Sequence, residues 1–432
     1  MKKVELNKYI EKEFDNIISD LKDIIAIKSV SIKSDNKKMP FGSECAKVLE
    51  VFLKKAENMG FKTNNIDNYA GTVSFDEKEP ELGILCHLDV VPADESGWTV
   101  TKPFESIIKD DRIYGRGAID DKGPAIAVLY AMKIIKEMNI KLKKGLKFIV
   151  GCDEENGSSD MEYYRKKESF PKYVFTPDGD FPVINFEKGM LRVKFSCSVE
   201  NSKVTSICGG NIINAVPEKA NAVLSNGLLI NENGKSAHAS TPQKGDNALT
   251  KLIDTLSKNT NETVWKNIAK FFPYGENNGR GLDIYSKDDE TGETTCVFSV
   301  AEIKNDHFEG YFDVRFPKNV KVEEITKKIK DKMNENGFDC KFILKEDYHY
   351  VSSDSEFVKK LLNVYENETD EKAAPLAIGG GTYVHDIDGG VAFGAEFPGE
   401  NNNMHGNDEF IKIDSLKKSI RLYINAILEI CG

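Results

Sequence analysis

Residues 82–89 read Leu-Gly-Ile-Leu-Cys-His-Leu-Asp, a short apolar run that ends on two polar side chains two positions apart. Runs of four to eight apolar residues predict a buried strand rather than a helix. The pattern recurs downstream. Gly145-Leu-Lys-Phe-Ile-Val-Gly151 is a second such run and leads into Cys152-Asp153-Glu154-Glu155. Tyr173-Val-Phe-Thr176 is a third and leads into Pro177-Asp178-Gly179-Asp180. Between the first two lies Gly123 to Met138 (GPAIAVLYAMKIIKEM), a helix apolar nearly all round and therefore buried. Leu6–Ile27 and Ser43–Met59 have helical periodicity, and Gly71–Phe75 is strand-like. Apolar strands alternating with helices predict an α/β domain with a mixed, mostly parallel sheet and helices on both faces.

The texture changes after about residue 185. Met190 to Val199 (MLRVKFSCSV) alternates as a half-exposed antiparallel strand should. Further alternating strands are expected around 297–300 and 310–316, with helices over 246–257 and 322–336. Residues 275–295 form a polar excursion. The α/β texture returns with a helix over 355–365, the Gly-rich segment 378–382 and a last helix over 413–430. The expected organisation is a catalytic domain in two parts, 1–186 and 351–432, with an inserted α+β domain over 187–350.

Composition narrows the function classes. The 432 residues carry 59 Lys+Arg against 70 Asp+Glu, a formal net charge of −11. A broad nucleic-acid interface needs a basic face, and an anionic membrane surface does too, so neither partner is expected. No stretch of about 18 apolar residues is present, so no transmembrane helix is expected. The N-terminal residues lack the apolar core of a signal peptide. The eight cysteines form no Cys-x-x-Cys pair or regular framework and read as reduced thiols, which points to the cytoplasm.

The residues that carry chemistry stand where the strands end. His87 and Asp89, at i and i+2 of extended chain, share a face, and such a carboxylate can hold the second nitrogen of a metal-bound imidazole. A strand-end histidine capped by a neighbour reads as well for this pair alone. Asp120 and Asp121 precede the buried helix and suit either an N-cap or a bridging carboxylate. Three consecutive acids, Asp153 to Glu155, repel one another unless a cation is near; one could bind metal while its neighbour acts as general base. Pro177-Asp178-Gly179 alone is a turn, and His405 in Asn403-Met-His405-Gly-Asn-Asp408-Glu409 alone is a cap or surface residue. Taken in order, His87, Asp120, Glu155, Asp178 and His405 supply two imidazoles and three carboxylates at the carboxyl edge of an open sheet. That donor set suits two divalent metals about 3.5–4 Å apart. Zn²⁺ is the first expectation, with Mn²⁺ or Co²⁺ as alternatives.

The runs HLDVVP, YGRGAIDDKGP, VGCDEENG, TPDGDFP, GGGTY and MHGNDEF resemble the dinuclear zinc exopeptidases, the clan of aminoacylase, carboxypeptidase G and carnosinase. GWTVTKPF, DDKGPAIA and the stretch from Glu162 to Gly189 are similar to the bacterial dipeptidase V (PepV-like, Xaa-His dipeptidase) group. The resemblance implies that His87 and Asp178 bind one metal, Glu155 and His405 the other, and that Asp120 bridges them through a residue pair joined by a cis peptide. It implies Glu154 as general base and Asp89 as the residue that orients His87. From residues alone, His238 is a loop histidine and Arg315 a strand-surface cation. The resemblance makes His238 a lid residue reaching the scissile carbonyl, and Asn214 and Arg315 lid residues that bind substrate. Gly380, Gly381 and Thr382 resemble a loop around the substrate carboxylate, though a helix-start glycine turn reads equally well. The implied activity is metal-dependent hydrolysis of dipeptides. An N-acyl amino-acid deacylase and a catalytically silent peptide-binding protein are the alternatives. A long insert that carries its own lid histidine implies a monomer.

Overall fold

The computed structural model describes residues 3–432, and these divide into two compact units. The first comprises residues up to 185, 351–376 and 382–432; the second comprises 186–350 and 377–381.

In the first unit the strands lie in the order Lys62–Ile66, Ala70–Ser74, Gly145–Gly151, Pro80–His87, Tyr173–Thr176, Val391–Ala392 and Ile184–Glu187, the last of which runs on into the second unit. The four strands from Gly145–Gly151 to Val391–Ala392 are mutually parallel. Both margins are antiparallel. The strand Pro80–His87 sits inside that parallel centre, and its last six residues are all buried. The helix Lys122–Glu137 buries 13 of its 16 residues, as its apolar circumference requires. It packs against the helix Ile413–Cys431 and against Lys3–Ile25. Ionised lysine at the start of a buried helix is costly unless its ammonium is hydrogen-bonded. Lys122 solves this by donating to the carbonyls of Ile24 (2.9 Å), in the last turn of the first helix, and Ile27 (2.7 Å), just beyond it. Burial still draws its pKa down to about 7.

The second unit is built on a seven-stranded antiparallel sheet. Its order is Leu229–Asn233, Lys219–Leu224, Val204–Gly209, Thr295–Lys304, His307–Phe316, Gly189–Ser198 and Asp339–Glu346. One face carries Leu191, Val193, Phe195, Phe312 and Val314 into a core shared with the helices Ala248–Thr260, Thr263–Phe271 and Val322–Glu335. The opposite face carries Arg192, Lys194, Asp313 and Arg315, so the alternation along each strand separates a packed face from a polar one. The helix Thr263–Phe271 has no counterpart in the sequence reading. It is nine residues long, and only Trp265, Ile268 and Phe271 are buried, too few repeats to set a period. The 275–295 excursion is ordered. It contains a helical turn at Arg280–Leu282 and a hairpin pairing Lys287–Asp288 with Gly292–Glu293. Leu282 and Ile284 pin it to the core, and Arg280 stacks 3.9 Å from the ring centroid of Tyr285.

Candidate metal centre

Parallel strands put their C-terminal ends on one edge of a sheet, so whatever follows each strand collects there. His87 is the last residue of its strand, the acidic turn Glu154–Asn156 follows the strand ending at Gly151, and Asp178 follows the strand ending at Thr176. Two groups of potential ligand atoms result, His87 with Glu154 and Asp178, and Asp120 with Glu155 and His405, with the atoms of each group within 4.8 Å of one another. Asp120 has one oxygen toward each imidazole: Oδ1 lies 2.9 Å from His87 Nε2 and Oδ2 lies 2.7 Å from His405 Nε2. His87 Nε2 is 3.7 Å from Asp178 Oδ2, and His405 Nε2 is 3.2 Å from Glu155 Oε1. The Asp120–Asp121 peptide is cis.

The residues fit a pair of divalent cations. His87 Nε2 and Glu155 Oε1 are buried and make no aligned hydrogen bond, although acids surround them. Buried polar atoms are normally partnered, so lone pairs that converge without partners mark a place for a cation. The electrostatics agree. Burial, then the charge on Asp178, pushes the Glu154 carboxyl well above the ordinary range. Burial, then the charge on Asp120, pushes Asp178 up to about 7. The Asp120 and Glu155 carboxylates beside its ring hold His405 up to about 11. Protons are retained there in place of positive charge.

The surrounding shell differs in part from the sequence reading. Asp89 faces the site, but the nearest group to His87 Nδ1 is the Asp89 carbonyl oxygen at 3.1 Å; its carboxylate stands at 3.5 Å. That carboxylate instead accepts from the backbone N–H groups of Glu154 (3.2 Å) and Glu155 (3.1 Å), so Asp89 joins the His87 strand to the acidic turn. Asp121 makes no side-chain cap to the helix that follows it, and its Oδ2 accepts from the His87 backbone N–H at 3.0 Å. Asp153, the first of the three acids, points away from the site. It accepts from Ser31 Oγ at 2.5 Å and from Ser159, and it faces Lys33 at 3.5 Å.

Four supporting residues were not identified from sequence. Glu409, fully buried, accepts from the backbone N–H groups of Gly117 and Ile119 at 3.0 Å and pairs with Arg116 at 2.6 Å. Arg116 in turn donates to the carbonyls of His405 (3.3 Å) and Gly406 (3.0 Å). The pair therefore fastens the loop carrying Asp120 to the loop carrying His405. Asp160 accepts from the N–H groups of Cys152 (2.7 Å) and Asp153 (2.8 Å) and from the Tyr383 hydroxyl (2.5 Å), which supports the acidic turn from beneath. Glu409 is signalled only by its place in the MHGNDEF run. Removing one member of a buried ion pair costs about 3–5 kcal/mol. Glu409→Ala is therefore expected to destabilise the protein by about that much, read from the urea midpoint of unfolding.

The residues that the resemblance assigned to substrate, except Thr382, lie in the second unit and near one another. Ala215 pairs with His238 across a short antiparallel ladder, and the Ala239 N–H donates to the Asn214 carbonyl at 2.9 Å. The Ser240 N–H donates to His238 Nδ1 at 3.2 Å. A neutral His238 therefore carries its proton on Nε2. Arg315 is not a strand-surface cation: its side chain is 2% exposed and is paired with Asp313. Its Nη1 donates to the carbonyl of Gly379 at 3.1 Å, directly before Gly380 and Gly381. No helix starts at Gly380–Thr382, so the helix-start reading of these glycines is not realised.

An open α/β sheet with two histidines and several carboxylates gathered on its carboxyl edge defines a class of proteins with a candidate metal centre, and comparison with known proteins narrows it. Residues 83–429 match the model of peptidase family M20/M25/M40, and the chain belongs to that family. It is 34% identical over 456 residues to a Bacillus subtilis (strain 168) protein named "Putative dipeptidase YtjP", covering 96% of this chain and 97% of that one. In fold it is similar to human carnosine dipeptidase 1, with a TM-score of 0.67 at 15% identity over 99% of this chain and 98% of the other. It is also similar to the Bacillus subtilis YXEP protein, described as a dinuclear metal-binding peptidase, with a TM-score of 0.54 at 11% identity over 96% and 98% of the two chains. Among the described residues no helix is long and apolar enough to cross a membrane.

Proposed function

We propose that this protein is a dipeptidase that uses two divalent cations to hydrolyse Xaa-Yaa dipeptides. The observation that carries the reading is Asp120, whose two carboxylate oxygens lie 2.9 Å and 2.7 Å from two different imidazoles, each with further acids beside it. His87 and Asp178 would hold one cation, Glu155 and His405 the other, and Asp120 both. Zn²⁺ suits this N/O donor set, and Mn²⁺ or Co²⁺ could take its place. Bound there, such ions supply Lewis-acid activation of water and of the scissile carbonyl. Glu154 takes the proton from the attacking water and delivers it to the leaving amine. The proton on His238 Nε2 serves the developing oxyanion, and Arg315, Asn214 and the Gly380–Thr382 segment contact the peptide's carboxyl half. These substrate roles rest on the resemblance of their motifs.

The protein acts as a monomer in the cytoplasm in this reading. Two observations support it: the chain carries its own His238 motif, and all eight cysteines are free, five of them buried. Sedimentation giving one chain per particle is expected. The N-acyl deacylase alternative is separated by substrate: dipeptides should release free amino acids, while N-acetyl and N-succinyl amino acids should release no acid. Acetate or succinate release at a comparable rate would replace the dipeptidase reading.

A further inference from the structure

We infer that Asp313 is a positioning residue that sets the Arg315 guanidinium in one orientation and leaves two chosen N–H donors for a peptide's terminal carboxylate. This rests on the proposed role of Arg315 in carboxylate binding. Asp313 is fully buried and Arg315 is 2% exposed. As alternate residues of one strand they share a face. Their contact is a two-pronged fork, Arg315 Nε to Asp313 Oδ1 at 2.6 Å and Nη2 to Oδ2 at 2.9 Å. Nη1 adds a third anchor on the Gly379 carbonyl at 3.1 Å. A guanidinium has five N–H donors in one plane. Three are committed here, and the remaining two sit one on each terminal nitrogen. A carboxylate is the group that accepts from both terminal nitrogens at once.

The anchors are themselves held. A Cβ on Gly379 would come within 2.5 Å of Ser240 Cβ, so the Gly379 backbone lies hard against the turn that bonds His238 Nδ1. Asp313 also faces Arg192 across the neighbouring strand, with Arg192 Nε 3.5 Å from Asp313 Oδ2. That Nε is buried and makes no hydrogen bond. Two guanidiniums thus share one carboxylate. The cluster keeps an excess positive charge for an incoming anion, although Arg315 itself is paired.

Asparagine at 313 would offer one acceptor oxygen and turn an amide N–H toward a donor, so the fork would open and the free donors would lose their direction. Misplacement on the scale of 1 Å can cost up to about 100-fold. The expected result is that Asp313→Asn raises KM for free dipeptides by about 10- to 100-fold with kcat nearly unchanged. KM for the matching C-terminally amidated dipeptides should stay where it was. In an Arg315→Lys background, Asp313→Asn should add nothing further. Asp313→Glu keeps the charge but shifts both oxygens by one methylene, and it provides the same comparison should the asparagine variant not fold. The inference is overturned if KM rises equally for free and amidated peptides, or if the full effect persists in the Arg315→Lys background. Arg315→Lys that leaves the preference for free over amidated dipeptides intact would instead remove the carboxylate role of Arg315 on which the inference rests.

Discussion

Glu154→Ala is expected to lower kcat for dipeptide hydrolysis by about 10²–10⁴-fold while two metal ions stay bound. Glu154 sits in the acidic turn that follows the strand Gly145–Gly151 and lies with His87 and Asp178 in one cluster. A general base works best with a pKa near the working pH. Burial and the Asp178 charge push this carboxyl well above its ordinary value, and nearby cations would draw it back toward neutrality. The backbone N–H of Glu154, not its side chain, holds the Asp89 carboxylate at 3.2 Å, so alanine leaves that contact in place. The five residues assigned to the metals are also untouched. Metal content by elemental analysis and kcat on the same preparation check both halves. Near-wild-type turnover would show that another group moves the proton.

Stripping the divalent ions is expected to abolish activity and to reverse the pH dependence of stability between pH 5 and 7. The sign follows from groups whose folded pKa lies above the unfolded one. Burial, then Asp120, holds Asp178 at about 7 against an ordinary 3.8, so its contribution is complete below 3.8 and is lost as pH rises through 7. Burial also brings Asp160 and Glu409 to about 7, with the same sign. His405, held at about 11 by Asp120 and Glu155, keeps its contribution below 6.5 and loses it above. Asp120 and Lys122 run the other way. Asp120 lies below its ordinary value because the His405 and His87 imidazoles beside it outweigh burial, and it changes only at lower pH. Lys122, lowered by burial to about 7, changes between 7 and 10.5. The metal-free protein should therefore lose thermal stability as pH rises from 5 to 7. The loaded protein should gain it, because the same ligands must be deprotonated to bind metal. Melting temperatures with chelator and with added metal, across that interval, give the comparison.

The catalytic half of the fold was legible because parallel strands place the residues after them on one edge. Once Leu82–Cys86, Gly145–Gly151 and Tyr173–Thr176 are read as buried strands, the meeting of His87, Glu154, Glu155 and Asp178 follows from topology. Asp120 and His405 were reached through their motifs, since neither lies on a strand of that sheet. The support shell was much less legible. Glu409 acts on Gly117 and Ile119 from 292 and 290 residues further along the chain, and nothing local marks a carboxylate as an acceptor for distant amides. Asp89 shows the limit of the i, i+2 rule. The chain leaves the strand after His87, so the carbonyl of Asp89 meets the ring and its carboxylate is free to hold the acidic turn. Arg315 and Asp313 obey the same rule inside a continuous strand, and there the spacing alone would have revealed the pair.

The most direct test is amino-acid release from a dipeptide panel by metal-stripped protein as Zn²⁺ or Mn²⁺ is added back in measured equivalents. Two cations in one carboxylate-bridged centre predict release that rises to a maximum at two equivalents per chain and is absent with none. Release that is complete without metal, or none at any loading, would contradict a two-metal dipeptidase.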